Sequence, residues 1–228
     1  MSNIVELRQY TLAPGKRDVL IELFEREFVE SQEAVGMDVI GTFRDQDDPD
    51  RFVWLRGFPD MESRARSLAA FYGGPIWKAH RDAANATMID SDNVMLLRPA
   101  WTGSSFASGG TRAPRGTSAL PEGCVVATVC ALDAPATEDL VVALRSAVPV
   151  VCRDAGAKLA GAFVTEESPN TFPALPVRGG EHVFVWFALF ARAALARAIA
   201  VPDALARHLL KPPETLRLVP TARSRLHG

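Results

Sequence analysis

Glu6, Arg8 and Tyr10 occupy alternate positions of the apolar run Ile4–Leu12. A strand places alternate residues on one face, so an acid, a guanidinium and a phenol would point the same way. Trp54, Arg56 and Phe58 alternate in a second apolar run, and Thr42 and Arg44 in a third. Burying a guanidinium without a counter-charge is expensive. Each inward arginine must therefore meet Glu6, another acid, solvent or a bound anion. Arg8, Arg44 and Arg56 are thus candidate anchors for a small anionic molecule. The plainer alternative is an Arg–Glu pair at a strand end, or arginines that snorkel to the rim.

A second group lies in Trp77–Asn85. On a helix, Trp77, His80 and Ala84 share a face, and Arg81 adjoins Trp77 as a further binding residue. His80 is the only histidine of the first half. Imidazole suits proton transfer near neutral pH, so Tyr10 and His80 are the candidates for moving protons. Trp54 and Trp77 would wall a pocket for a planar substrate, and Asn85 would donate to a developing oxyanion. The alternative makes His80 a partly buried helix residue bonded to a neighbouring carbonyl. The run Asp45–Asp50 lacks the central Gly and terminal Glu of a calcium loop and reads as a hairpin turn. Asp90 and Asp92 have no His or Cys neighbours and read as turn and cap residues, so no metal is expected. No dinucleotide fingerprint, phosphate-binding loop or nucleophile elbow is present.

The elements that must position these residues follow from periodicity. Residues 101–122 are rich in Gly, Ser, Thr and Pro with no apolar period, and read as a flexible linker between residues 1–100 and 123–228. In the first half a strand (Ile4–Leu12) precedes a helix with Leu20, Leu23, Phe24 and Phe28 on one face, ended by Gly36. Strands at Met37–Arg44 and Arg51–Phe58 follow. Next come a helix from the N-cap Asp60 to Phe71, a restart over Ile76–Met88, and a strand at Asn93–Pro99.

The second half reads in the same order: strand, helix Pro135 to Ala155, two strands, a helix through Leu210, and a short strand Thr215–Val219. A shift of 120 aligns Leu20 with Leu140, Gly36 with Gly156, Gly41 with Gly161 and Phe43 with Phe163. After a longer loop, Ser168–Gly180, a shift of 132 aligns Phe52-Val53-Trp54 with Phe184-Val185-Trp186. Matched capping glycines and a matched triplet argue for a tandem repeat. Each β-α-β-β-α-β unit makes a four-stranded antiparallel sheet with helices on one face. Strands that are apolar on both faces require the bare face to be covered as well. The expected fold is therefore α+β: two ferredoxin-like repeats packed sheet to sheet as an intrachain pseudo-dimer.

The repeat is also an internal control. Arg8 corresponds to Thr128, Tyr10 to Cys130, Arg44 to Val164 and Arg56 to Ala188. Polar groups present in only one copy need a reason other than the scaffold, so the first half is the candidate site and the second its structural partner. The proline-stiffened loop Ser168–Gly180 is a candidate cap for the pocket of either half. A second site around Arg178 and His182 remains an alternative.

Composition narrows the setting. A net charge of −2 without a basic stripe argues against nucleic acid. No apolar run reaches the length of a membrane span. Cys124, Cys130 and Cys152 are an odd set in apolar surroundings, as expected of buried thiols in the reducing cytoplasm. A fused pseudo-dimer is free to stay monomeric or to form a homodimer.

The segments Val5–Leu12 with Pro14-Gly15-Lys16, Arg51–Phe58 and Pro75-Ile76-Trp77 together resemble the NIPSNAP family, a branch of the dimeric α/β-barrel superfamily. The resemblance covers residues 3–100; the second half keeps only the scaffold and the Phe-Val-Trp strand. It implies the fold. Superfamily relatives include cofactor-free oxygenases, small cyclases and lyases, and haem-binding enzymes, a range too wide to select one chemistry. The leading expectation is a cofactor-free enzyme acting on a small anionic or aromatic ligand. The alternatives are a haem protein with His80 as axial ligand, and a non-catalytic binding or scaffold protein.

Overall fold

A computed structural model describes residues 2–107 and 110–227. In the first half, strand β1 (Ile4–Leu12) leads into helix α1 (Arg17–Leu23). One π-helical turn (Phe24–Phe28) joins α1 to α2 (Val29–Glu33). Gly36, at φ +93°, takes the left-handed conformation that ends this helix. Strands β2 (Asp38–Asp45) and β3 (Arg51–Phe58) follow. The expected cap of helix α3 (Met61–Gly73) is present, with the Ser63 N–H donating to Asp60 Oδ1 at 2.6 Å. Helix α4 (Pro75–Asn85) restarts at Pro75, whose missing N–H costs nothing in a first turn. Strand β4 (Met88–Pro99) is longer than periodicity suggested.

The second half supplies β5 (Cys124–Leu132), α5 (Glu138–Asp154), β6 (Lys158–Thr165), β7 (His182–Phe190) and β8 (Glu214–Pro220). Here one expectation is corrected. The helix expected through Leu210 is only a 3-10 turn at Ala193–Leu195 and a four-residue helix α6 (Asp203–Ala206). Pro202 lies between them; it removes an N–H and turns the preceding residue away from helical angles.

The strands close into one antiparallel barrel in the order β1-β3-β2-β8-β5-β7-β6-β4. Each half contributes the same internal order, with its first and third strands central. The expectation of sheets packed face to face is refined, because the sheets also join at their edges. Phe43, Arg44 and Asp45 pair with Pro220, Val219 and Leu218, and Leu97, Arg98 and Pro99 pair with Thr165, Val164 and Phe163. Inside, Val5, Leu7, Val53 and Leu55 meet Val125, Ala127, Val185 and Phe187 in a single apolar core. A Cβ on Gly41 would meet the Phe43 ring at 2.5 Å, and one on Gly161 the Phe163 ring at 2.8 Å. The paired glycines therefore leave room for the paired rings that fill the barrel.

The segment 101–122 does more than connect, although residues 108 and 109 lie outside the described residues. Phe106 plugs the barrel against Phe163 and Phe187, with ring centroids 4.9 and 5.0 Å away. Arg112 donates to Glu33 Oε1 and to the carbonyls of Val39 and Arg223. No helix among the described residues is long and apolar enough to cross a membrane.

Candidate functional site

With Val5 and Leu7 committed to the barrel, strand alternation turns Glu6, Arg8 and Tyr10 outward, under the helices of the first half. Glu6 is completely buried and is the centre of the site. Its Oε2 accepts from Arg8 Nη1 and Arg56 Nε, and its Oε1 from Arg64 Nε, all at 2.7 Å. Burial by itself would push the Glu6 carboxyl up. Arg56, Arg8 and Arg64 together overcome that and hold it well below the ordinary carboxylate range.

One carboxylate facing three guanidiniums leaves a local excess of positive charge. The remaining acceptors are neutral. Arg8 Nε donates to Tyr10 Oη at 3.0 Å, and Arg56 Nη1 donates to Gln32 Oε1 at 3.2 Å and Tyr72 Oη at 3.4 Å. Arg64 Nη1 reaches Asn170 Oδ1 at 2.9 Å and Thr171 Oγ1 at 3.2 Å. The Nη2 atoms of Arg56 and Arg64 are buried with no protein acceptor. Aromatic faces absorb part of the charge: the guanidinium carbons of Arg8 and Arg56 lie 5.5 and 5.1 Å from the Trp54 ring centre. Burial draws Arg64 below the usual guanidinium value despite Glu6.

Beside this cluster is a cavity of about 30 Å³, room for little more than a water molecule. Tyr10 and Trp54 form its sheet wall, and Phe71, Tyr72 and Trp77 its α3–α4 wall. Phe24 and Phe28 close it from the π-helical turn. That turn is defined by the Val29 N–H reaching Phe24 O, five residues back. Such insertions recur at functional sites. Tyr10 has its pKa raised by burial, in spite of Arg8, so its phenol keeps its proton at neutral pH.

The structure brings together Arg8, Tyr10, Trp54, Arg56 and Trp77 among the expected site residues. Four others lie elsewhere. Arg44 pairs with Asp18 at the start of α1, at 2.9 Å. His80 sits outside the cavity lining, with Nε2 3.6 Å from Glu27 Oε2. Arg81 is exposed and pairs with Asp82, and Asn85 is exposed at the end of α4. Helical spacing correctly groups the α4 residues, but the buried Ala84 and the lining Trp77 orient the helix so that only this edge faces the cavity. The acid-rich turn is a hairpin turn as expected, held by Asp45 and Asp48 side chains accepting from the N–H groups of Asp47 and Asp50.

Residues 5–102 match the NIPSNAP family model. The first half of the chain is a NIPSNAP domain. A solved NIPSNAP-like domain protein from Burkholderia xenovorans is 29% identical, spanning 49% of this chain and 90% of its own, with a TM-score of 0.39. Two solved structures align with both halves at once. One, from Lactobacillus acidophilus and provisionally assigned as a monooxygenase, covers 98% of this chain and 97% of its own at 14% identity and a TM-score of 0.58. The other, from Fusobacterium nucleatum with the same provisional assignment, covers 96% and 92% at 8% identity and a TM-score of 0.55. At such identities the likeness is one of fold. No curated protein matches the chain.

Sequence reasoning missed Arg64, Gln32 and Tyr72 as members of the NIPSNAP-domain site, and treated Glu6 only as a counter-charge. An arginine at helical spacing from the apolar Leu68 and Phe71, and so on the inward face of α3, was the available signal for Arg64. The candidate cap Ser168–Gly180 does cover the NIPSNAP domain: Asn170 and Thr171 bond Arg64, and Phe172 and Leu175 pack against its core.

Proposed function

We propose that the NIPSNAP domain is the working half of a cofactor-free enzyme. It acts on a small aromatic or anionic molecule held between the sheet and its helices, and the second half is a degenerate repeat serving as its structural partner. The observation that carries this reading is the Tyr10 hydroxyl. It stands at the wall of an aromatic cavity and is oriented by Arg8, which is fixed in turn by the buried Glu6. Accepting from Arg8 leaves the Tyr10 proton free to be donated. A protonated phenol in a dry pocket serves as a fixed donor to developing negative charge on a substrate oxygen. Trp54, Trp77 and Phe24 offer flat walls to a planar substrate, and the excess positive charge behind them favours an anion.

Proton-assisted lyase, isomerase or cyclase chemistry needs only these parts. An oxygenase whose substrate supplies the electrons would use the same pocket, in keeping with the provisional assignment of the two full-length structural neighbours. Tyr10 takes the acid role, and His80 is left without one. A haem held by His80 would have to sit outside this cavity, whose lining does not include His80. At about 30 Å³ the cavity is well below the usual range for bound ligands, so substrate must open it.

The test is a panel of small aromatic acids and hydroquinones incubated with the purified chain and followed by absorbance and mass spectrometry. The wild type converts at least one. Tyr10→Phe lowers turnover by about 10²–10³-fold, the effect of losing one oxyanion donor, while His80→Ala leaves it unchanged. Binding without conversion would select a non-catalytic binding protein instead, and an unaffected Tyr10→Phe would remove the acid assignment.

A further inference from the structure

We propose that the segment Asn170-Thr171-Phe172, supplied by the second half, sits in an aromatic-carboxylate subsite of the NIPSNAP domain, whose anion-binding residue is Arg64. The proposal rests on the pocket reading above and names its ligand class.

Three features of the segment imitate such a ligand. Two oxygens, Asn170 Oδ1 and Thr171 Oγ1, accept from the guanidinium of Arg64 at 2.9 and 3.2 Å. The next residue, Phe172, stacks its ring on Tyr72 with centroids 5.9 Å apart and planes 25° apart. Tyr72 is itself a wall of the cavity, so one aromatic side chain serves both places. An oxygen pair on a guanidinium beside a ring on an aromatic wall is the outline of an aromatic carboxylate.

The imitation is imperfect in ways that favour the true ligand. Both loop oxygens are neutral, although the cluster holds three guanidiniums against one carboxylate. Both bond the same nitrogen, Nη1, and Nη2 of the fully buried Arg64 has no protein acceptor. A carboxylate would take both nitrogens in a two-pronged, charge-assisted pair. The cover is also thin: Thr171 is exposed while Arg64 beneath it is not.

Loop length points the same way. Sixteen residues separate β6 from β7, against five between the corresponding strands β2 and β3 of the first half. A strand connection does not need the difference. The extra residues cross to the other half of the molecule. There Arg178 anchors them, its N–H on Val94 O at 2.8 Å and its side chain on Asn93 Oδ1 at 3.3 Å. The segment is therefore an internal competitor that ligand displaces, holding the site closed between turnovers.

The experiment is calorimetric titration of the full chain with benzoate and phenylacetate, each beside its uncharged amide. The triple variant N170A/T171A/F172A should bind the acids about tenfold or more tightly than wild type, because a larger fraction of molecules is open. Arg64→Gln should abolish binding of the acids. If that variant does not fold, Arg64→Lys serves in its place, keeping the charge but losing the fork, with binding weakened about tenfold or more. Acids bound no more tightly by the triple variant would overturn the competitor role. Acids and amides bound equally would overturn the anion assignment while leaving the pocket reading intact. No binding of any probe to any variant would remove both.

Discussion

The two halves of the barrel solve one packing problem in opposite ways. Each must fill the layer between its outer sheet face and what covers it. The second half does so with mostly apolar groups: Val126, Cys130 and Ala188 stand where the first half has Glu6, Tyr10 and Arg56, the small Thr128 replaces Arg8, and Trp186 keeps the place of Trp54. The first half puts an acid, three arginines, two tyrosines and a cavity into the same layer. The barrel accommodates either, so the charged layer is not a requirement of the fold. A buried ion cluster is seldom better for stability than well-packed apolar residues. The contrast therefore supports the proposal that the first half is the working half, with the second supplying scaffold and loop.

The largest expected effect breaks the charged layer from within. Glu6→Gln leaves three buried guanidiniums without their carboxylate and should cost about 3–5 kcal/mol or prevent folding. Val126→Ala, at the matching position, should cost about 2 kcal/mol for its lost methyl groups. Urea denaturation of both variants measures the difference; equal costs would mean that the cluster is not held by Glu6. Next in size is the apolar exchange. Combining Glu6→Leu, Arg8→Met, Arg56→Met and Arg64→Met should leave the barrel as stable as wild type or more stable by about 1–4 kcal/mol, while ligand binding disappears. A collapse of stability would show the charges to be structural.

Acid should distinguish the halves more gently. The Glu6 carboxyl is held below its unfolded value, so its stabilising contribution is complete above the ordinary glutamate pKa of about 4.3. It is lost progressively as pH falls below that value. Wild type should lose stability on acidification by more than the quadruple variant does, as read from unfolding midpoints. The smallest effect is chemical silence in the second half. Burial pushes the Cys124 thiol up to about 11 and those of Cys130 and Cys152 up to about 12. All three should resist alkylation at pH 8 until the chain unfolds. Rapid labelling of the native protein would mean that this half opens more readily than its packing implies.

Much of the fold was legible because its signals are local. The alternation of Glu6, Arg8 and Tyr10 needs only the two-residue period of a strand, and the matched glycines and Phe-Val-Trp strands needed only comparison of the chain with itself. The failures are equally local in origin. An alanine-rich stretch read as a helix to Leu210, yet Pro202 divides it. His80 and Arg81 shared a helix with Trp77, but no local rule says which edge of that helix meets the sheet.

What the sequence alone determined is therefore most of the elements, the self-similarity of the two halves and the asymmetry in polar residues between them. Backbone propensity and side-chain period act over a few residues and leave their mark in any window. The tertiary structure decided closure of the barrel, the convergence of Arg8, Arg56 and Arg64 on Glu6, and the reach of Asn170 and Thr171 across to Arg64. The side-chain contacts among them join residues as many as 107 positions apart, and the barrel-closing pair Phe43–Pro220 joins residues 177 apart. The side-chain contacts exist because a charge taken out of water must find its partner in space, wherever along the chain that partner lies.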